Sequence, residues 1–218
     1  MRGDRIKTNV LSVQMIPNAD PMLLSQMAVP QGCRSMGLIT TDCDDVSYAA
    51  LDEATKKARV DVIYARSMYA GAGNASTALA GEFIGILSGE NPAEVRSGLD
   101  AAIRYIENDA AFCKANDEGT VVYFAHCISR TGRYLSRCAG VPEGTAMAYL
   151  IAPPIEAIVG LDAAVKAADV TLSLFYGPPS ETNFAGGLLT GDQAACQAAC
   201  DAFARTVCRI ADAPIQRR

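Results

Sequence analysis

Tryptophan is absent from this chain, histidine occurs once, and aromatic residues make up only 6% of it. A core has few large rings to build on, whereas small residues, Ala and Gly, are abundant. Small side chains suit close helix-on-sheet packing and extended subunit contacts. The 218 residues are half hydrophobic, enough for a real core and about right for two small domains. Basic residues are outnumbered, 19 Lys and Arg against 24 Asp and Glu, for a net charge of −5. That excludes nucleic acid as a natural partner, because phosphate binding needs clustered Lys and Arg. Arg217-Arg218 is the nearest thing to a cluster and reads as a solvated tail. No run approaches the roughly 18–20 apolar residues that span a bilayer. The charged start Met1-Arg2-Gly3-Asp4-Arg5-Ile6-Lys7 is not followed by the apolar segment of a signal peptide. The expectation is a cytosolic protein without a membrane partner.

Enzyme signatures are missing too. The one histidine, His126, falls inside a predicted strand and reads as structural. No G-x-S-x-G turn exposes a nucleophile. Gly71-x-Gly73 is followed neither by Gly-Lys-Ser/Thr nor by a helix start, so it is not a phosphate loop. Asp42, Asp44 and Asp45 follow a predicted strand and read, by themselves, as a turn or helix cap. The eight cysteines contain no C-x-x-C pair. Cys196 and Cys200, at i,i+4, would share a helix face and could ligate a metal, but no third or fourth ligand is evident. They read as buried reduced thiols packing like small apolar residues, and no metal site is expected.

What the chain does contain is an internal duplication. Residues 8–39 align without a gap to residues 120–151, at an offset of 112, with Val10/Val122, Ile16/Ile128, Leu23/Leu135, Pro30/Pro142 and Gly32/Gly144 among the identical pairs. The match resumes at Leu51-Asp52-x-Ala54-x-Lys56-x-Ala58-x-Val60 against Leu161-Asp162-x-Ala164-x-Lys166-x-Ala168-x-Val170, at an offset of 110. It resumes again at Gly85-x-Leu87-x-Gly89 against Gly187-x-Leu189-x-Gly191, at an offset of 102. The first copy therefore carries 8 extra residues, which fall within residues 66–80.

Each copy reads as β-α-β-α-β-β-α. In the first, strands are predicted over 10–16, 36–40, 60–64 and 82–87. Helices are predicted over 21–27, 51–58 and from Asn91-Pro92 to about 106, Pro being well suited to a first helical position. The reading is two α+β domains, 1–110 and 111–218, each a mainly antiparallel sheet covered by helices.

The run Gly160-Leu161-Asp162-Ala163-Ala164-Val165-Lys166-Ala167-Ala168-Asp169-Val170, then Gly187-Leu188-Leu189-Thr190-Gly191-Asp192 and an Ala-rich helix, resembles the bacterial microcompartment shell domain. Further segments are similar to the tandem-domain shell proteins of ethanolamine utilisation. They include Arg34-Ser35-Met36-Gly37-Leu38-Ile39, Asp44-Asp45-Val46, Tyr69-Ala70-Gly71-Ala72, Asn91-Pro92-Ala93-Glu94 and Pro178-Pro179-Ser180-Glu181-Thr182-Asn183. The resemblance implies two circularly permuted ferredoxin-like domains per chain and a homotrimer that mimics a hexamer. It implies a structural subunit, not an enzyme, tiling with other shell proteins around the pathway enzymes. It implies a small pore within each subunit, where Asp44, Glu82 and the backbone carbonyl of Phe112 meet ethanolamine. It implies a gated central pore edged by residues 66–80 and 177–186, with Tyr69, Gly71, Gly73, Asn74, Ser180, Glu181, Thr182 and Asn183 on the loops. No cofactor is required. Cobalamin, used by the encapsulated lyase, is a candidate ligand or cargo of the wide pore by pathway logic. The rival reading is a trimeric ferredoxin-like small-molecule sensor, which would stay a discrete trimer instead of tiling.

Overall fold

The computed structural model describes residues 1–68, 77, 79–180 and 182–215. They form two compact α+β units. The first comprises Thr8–Ala110 together with Gly132–Leu135, and the second Met1–Lys7, Ala111–Thr131 and Ser136–Arg218.

In the first unit the elements are β2 (Val10–Ile16), α1 (Pro21–Gln26), β3 (Ser35–Thr41), α2 (Asp44–Lys57), β4 (Val60–Ser67), β5 (Phe83–Gly89) and α3 (Pro92–Asn108). The strands form one antiparallel sheet in the order β2-β3-β5-β4. The second unit opens with β1 (Arg5–Ile6) and continues with β6 (Phe112–Lys114) and β7 (Val122–Ile128). Then come α4 (Arg133–Ala139), whose first three residues lie in the first unit, β8 (Ala146–Ala152), α5 (Pro154–Ala167), β9 (Val170–Tyr176), β10 (Ala185–Gly191) and α6 (Gln193–Asp212). Its strand order, β1-β6-β7-β8-β10-β9, contains the same four-strand pattern extended by two short strands. The duplication seen in the residues is thus a duplication of topology.

Small residues set the layer spacing. A Cβ on Gly37 of β3 would lie 2.7 Å from Val95 and 2.8 Å from Leu99, so α3 lies directly on the sheet there. In the second unit a Cβ on Gly160 of α5 would lie 2.7 Å from the Phe203 ring of α6. The second core is built largely of Ala and Cys around Leu150, Leu161, Leu189 and Phe203. The opposite face of the first sheet buries Met36 and Ile86 with Ala19, packed by Leu24, Met27 and Val29 from α1 and the turn after it.

Helix starts follow their capping residues. Asn91 accepts from the amides of Ala93 and Glu94, both at 3.0 Å, and Pro92 follows it. Asp192 accepts from Ala195 at 2.7 Å. One expectation is corrected. The second helix begins at Asp44, two turns before the predicted Leu51, because Asp44 and Asp45 form its first turn, where the helix dipole favours negative charge. Lys56 and Lys57 occupy its last turn.

A buried carboxylate holds the segment Gly132–Leu135 in the first unit. Asp52, with no exposed surface, accepts from the amides of Gly132 at 2.6 Å and Leu135 at 2.9 Å. Thr55 accepts from the Arg133 amide at 3.0 Å, and the Arg133 guanidinium donates to the Val60 carbonyl at 2.5 Å. A Cβ on Gly132 would lie 2.4 Å from the Thr55 hydroxyl and 2.6 Å from the Asp52 carbonyl oxygen, a backbone atom that cannot give way. Asp52→Ala would strand two buried donors, each costing about 1–3 kcal/mol. We expect Asp52→Ala to lower unfolding free energy by roughly 2–4 kcal/mol in urea titrations, and Gly132→Ala to be clearly destabilising as well. Unchanged midpoints for both would show that this clasp contributes nothing.

Candidate functional site

The acidic residues singled out in the sequence gather at one end of the first unit. β3 ends at Thr41, and residues 42 and 43 turn the chain into α2, whose first turn carries Asp44 and Asp45, both buried. Asp42 is held by Asn9, accepting from its amide at 2.7 Å and its side chain at 2.6 Å. Glu82 directly precedes β5, and its amide donates to the Thr41 carbonyl at 2.8 Å. The β3–β5 register, Thr41 opposite Phe83, is what brings Glu82 to the acidic turn.

Gly81 makes that approach possible. Its φ is +64°, and a Cβ there would lie 2.2 Å from the Thr41 carbonyl oxygen. Only a residue without a Cβ can pass so close in that conformation.

The carboxylates interact. Burial raises the Glu82 carboxyl above the usual range, and the neighbouring charges of Asp44 and Asp42 raise it further. One turn along α2 from Asp44, Tyr48 shares a 2.9 Å hydrogen bond with the Ser67 hydroxyl, and its ring meets Phe83 edge-on at 4.9 Å. Burial pushes this phenol up to about 12. Such a group, rich in carboxylates beside an aromatic wall, is suited to a small cation with hydrogen-bond donors.

Asp44 and Glu82 are therefore brought together within one unit. Phe112 lies in the other, in β6, where its ring stacks on Phe124 at 5.3 Å and meets Phe184 at 5.9 Å. Of the candidate loop residues, Tyr69, Gly71, Gly73, Asn74 and Glu181 lie outside the described residues. Ser180, Thr182 and Asn183 form a tight turn between β9 and β10. The Ser180 amide donates to the Phe184 carbonyl at 3.0 Å, the Asn183 amide donates to the Ser180 carbonyl at 3.2 Å, and Asn183 adopts φ 64°. Backbone bonds also bracket the longer loop, the Met68 amide donating to the Glu82 carbonyl at 2.7 Å.

The other chemistry-bearing side chains have structural surroundings. His126 stacks on Phe124 at 5.4 Å. Cys196 and Cys200 are buried in the second core, and burial pushes the Cys196 thiol up to about 11 and Cys200 higher still, which keeps both protonated and inert. Among the described residues no group of three or more His, Cys, Asp or Glu could hold a metal ion, and no helix is long and apolar enough to cross a membrane.

The BMC domain model matches residues 35–116. The shell protein EutL of Clostridium perfringens is 59% identical over 99% of both chains. The Escherichia coli shell protein EutL is 52% identical over 98% of both chains. This chain belongs to the EutL family of bacterial microcompartment shell proteins. The crystal structure of the ethanolamine utilization protein EutL from Leptotrichia buccalis superimposes with a TM-score of 0.97, at 64% identity over the whole of both chains. The family is one of structural shell components, not enzymes, and the tandem shell-domain fold that the resemblance implied is the observed one.

Two residues that matter to this site were not singled out in the sequence, Tyr48 and Gly81. Starting α2 at Asp44 would have put Tyr48 one turn away on the same face, and Gly81 sits where the longer loop re-enters a strand.

The electrostatics can be tested directly. Because Asp44 contributes to the upward shift of Glu82, Asp44→Asn should move the Glu82 titration to lower pH, with part of the shift remaining from burial. Carboxyl-carbon NMR titrations of parent and variant read this. The stability sign follows: folded Glu82 keeps its proton at pH values where the unfolded chain has lost it, so its ionisation opposes folding as pH rises through that window. Glu82→Gln should leave stability at neutral pH unchanged or raised, and a clear loss would contradict the assignment.

Proposed function

We propose that this shell subunit assembles as a homotrimer with pseudo-sixfold symmetry, and that each subunit carries a small pore at which Asp44 and Glu82 bind and pass ethanolamine. The observation that carries this reading is the gathering of Asp42, Asp44 and Glu82 at one end of the first sheet, with Glu82 raised by burial and then by the charges of Asp44 and Asp42. Ethanolamine is a small cation at neutral pH. Its ammonium suits paired carboxylates, and its hydroxyl suits a backbone carbonyl, the role we assign to Phe112. The Leptotrichia relative is an ethanolamine utilization protein, which supports the same substrate.

The trimer reading rests on the duplication: two related units per chain, taken three times, give six similar wedges around one axis. Residues 66–80 and 177–186 would edge the central pore and gate it, and other shell proteins would be the lateral partners. Cobalamin is the proposed large cargo of that pore; its support is pathway logic alone. A discrete trimeric sensor is the other reading, and electron microscopy of the purified protein separates the two, since a shell subunit should form extended two-dimensional sheets.

Affinity should be modest. A ligand of about four heavy atoms in a wet site should bind with a Kd between roughly 0.1 and 1 mM, about 4–6 kcal/mol. Isothermal titration should show weakening by Asp44→Asn and by Glu82→Gln, with acetate and ethylene glycol bound poorly by the parent. Since Glu82 titrates above the usual carboxylate range, affinity should fall as pH drops through that range. Unchanged ethanolamine binding in the double variant would overturn the site assignment.

A further inference from the structure

Two cysteines, a tyrosine and an arginine of the second unit gather where the short strand β6 meets the end of α6, and the acidic site uses none of them. Cys113 is the middle residue of β6, and Tyr123 of β7 stands directly opposite it in the antiparallel pair. Directly opposed residues project from the same face of a sheet, with Cβ atoms about 4.5–5.5 Å apart. That face is the helix-covered one, because Tyr123 packs against the core cluster that contains Phe203 and Cys208 of α6. The Arg2 guanidinium donates to the Cys208 sulfur, and the Tyr123 hydroxyl is hydrogen-bonded to it as well. Cys113 is half-buried and Cys208 buried.

The two thiols also interact electrostatically. Burial holds the Cys113 thiol above its ordinary range, the charge of Arg5 opposite it in β1 offsets part of that, and Cys208 adds to it. Burial, and after it the neighbouring Cys113 and Cys208, push the Tyr123 phenol up to about 12.

Packing does not require this chemistry. At the repeat offset of 102, the counterpart of Cys208 in the first unit is Ile106, a buried aliphatic. At the offset of 112, the counterpart of Tyr123 is Leu11, which has no hydrogen-bonding group. The same fold therefore closes in the first unit with hydrocarbon at both places, and the thiol with its bonded hydroxyl exists in the second alone.

We propose that Cys113 and Cys208 are a redox pair, which closes into a disulfide stapling β6 to α6 when a low-molecular-weight disulfide such as oxidised glutathione is present. Cys113, the less buried thiol, reacts first. Its thiolate attacks one sulfur of the oxidant, forms a mixed disulfide and releases one thiol. The Cys208 thiolate then attacks the Cys113 sulfur and displaces the second thiol. The two protein thiols give up two electrons and two protons, and the oxidant takes them up as two thiols. Arg2 places a positive charge beside the sulfur that is anionic in the second step.

What the staple fixes is otherwise held lightly. β6 has three residues, and β1 on its outer side has two. The chain before β1 is tied down by the Arg2 amide donating to Asp117 at 2.7 Å and the Arg2 guanidinium donating to Asp212 at 2.9 Å, both at the exposed surface. Exposed ion pairs add little stability. A bond from residue 113 to residue 208 closes a long loop, and the entropy it removes from the unfolded chain grows with loop length.

The test uses the full chain. Reduced protein is incubated with oxidised glutathione, blocked with iodoacetamide and digested with trypsin without reduction. Trypsin releases Cys113 in residues 105–114 and Cys208 in residues 206–209, each with a single cysteine. The two peptides should appear joined, and the thermal midpoint should rise by about 5–10 °C, a shift that dithiothreitol reverses. Cys113→Ser and Cys208→Ala should each abolish the joined peptide and the oxidant-dependent rise. Each variant is compared with itself, oxidised against reduced, so altered packing at residue 208 does not enter the reading. Free thiols on both peptides, or glutathione on 105–114 in place of 206–209, would overturn the pair. A rise that persists in Cys113→Ser would assign the effect to other cysteines and overturn it too. Joined peptides with an unchanged midpoint would overturn the staple.

Discussion

A carboxylate with no exposed surface has to be satisfied by donors or held protonated, and Asp52 is satisfied by the backbone. Its two acceptor contacts go to amides at the start of α4, so the carboxylate acts as a helix cap supplied from a distant part of the sequence. Burial still raises the Asp52 carboxyl despite those bonds and the nearby Lys56, which says how dry the position is. Around it the neighbours are constrained in turn. Gly132 can have no side chain, Thr55 must accept from Arg133, and Arg133 must reach Val60 and Asp61. One buried charge thereby specifies a set of residues that hydrophobic packing alone would leave free to drift.

The two units show which parts of a duplicated fold are constrained and which can diverge. Strand order and antiparallel pairing are the same in both, because the sheet and its helices need only small residues at the close approaches and aliphatic ones between them. The acidic end of the first sheet has diverged. Its counterparts to Asp44 and Asp45 are Pro154 and Ile155, so the carboxylate cluster exists once per chain. A single-copy acidic site on a duplicated scaffold is what a local functional demand would leave behind, since packing requires no charge there.

Much of this architecture was legible in the residues because the chain states it twice. The offsets located equivalent strands and helices that neither copy would have defined alone, and the eight-residue excess located the longer loop. Other features had no local signal. β1 and β6, two and three residues long, are too short to show any alternation and exist through pairing with each other and with β7. The first two turns of α2 were hidden because Asp42, Asp44 and Asp45 look like turn residues until the helix dipole explains them. Asp44 and Glu82 are 38 positions apart, and family resemblance alone paired them in the sequence. Their proximity depends on a strand register that periodicity cannot supply.

The acidic cluster also illustrates why a site of this kind carries its charges under tension. Asp44 and Asp45 lie where the α2 dipole favours negative charge, whereas Glu82 precedes a strand and has no such support. Burial raises Glu82, and the charges of Asp44 and Asp42 raise it further. A small cation arriving there relieves the repulsion and lowers the proton affinity of Glu82, so cation and proton compete for one place. Competition of that sort keeps binding weak, because part of the attraction goes into displacing the proton and into desolvating a ligand with very little surface to bury. On the proposed role as a pore lining, where a metabolite must leave as readily as it enters, weak and exchangeable binding would be the useful outcome. Tighter pairing, such as an Arg placed against the two carboxylates, would silence the repulsion and with it the reason for a cation to stop there.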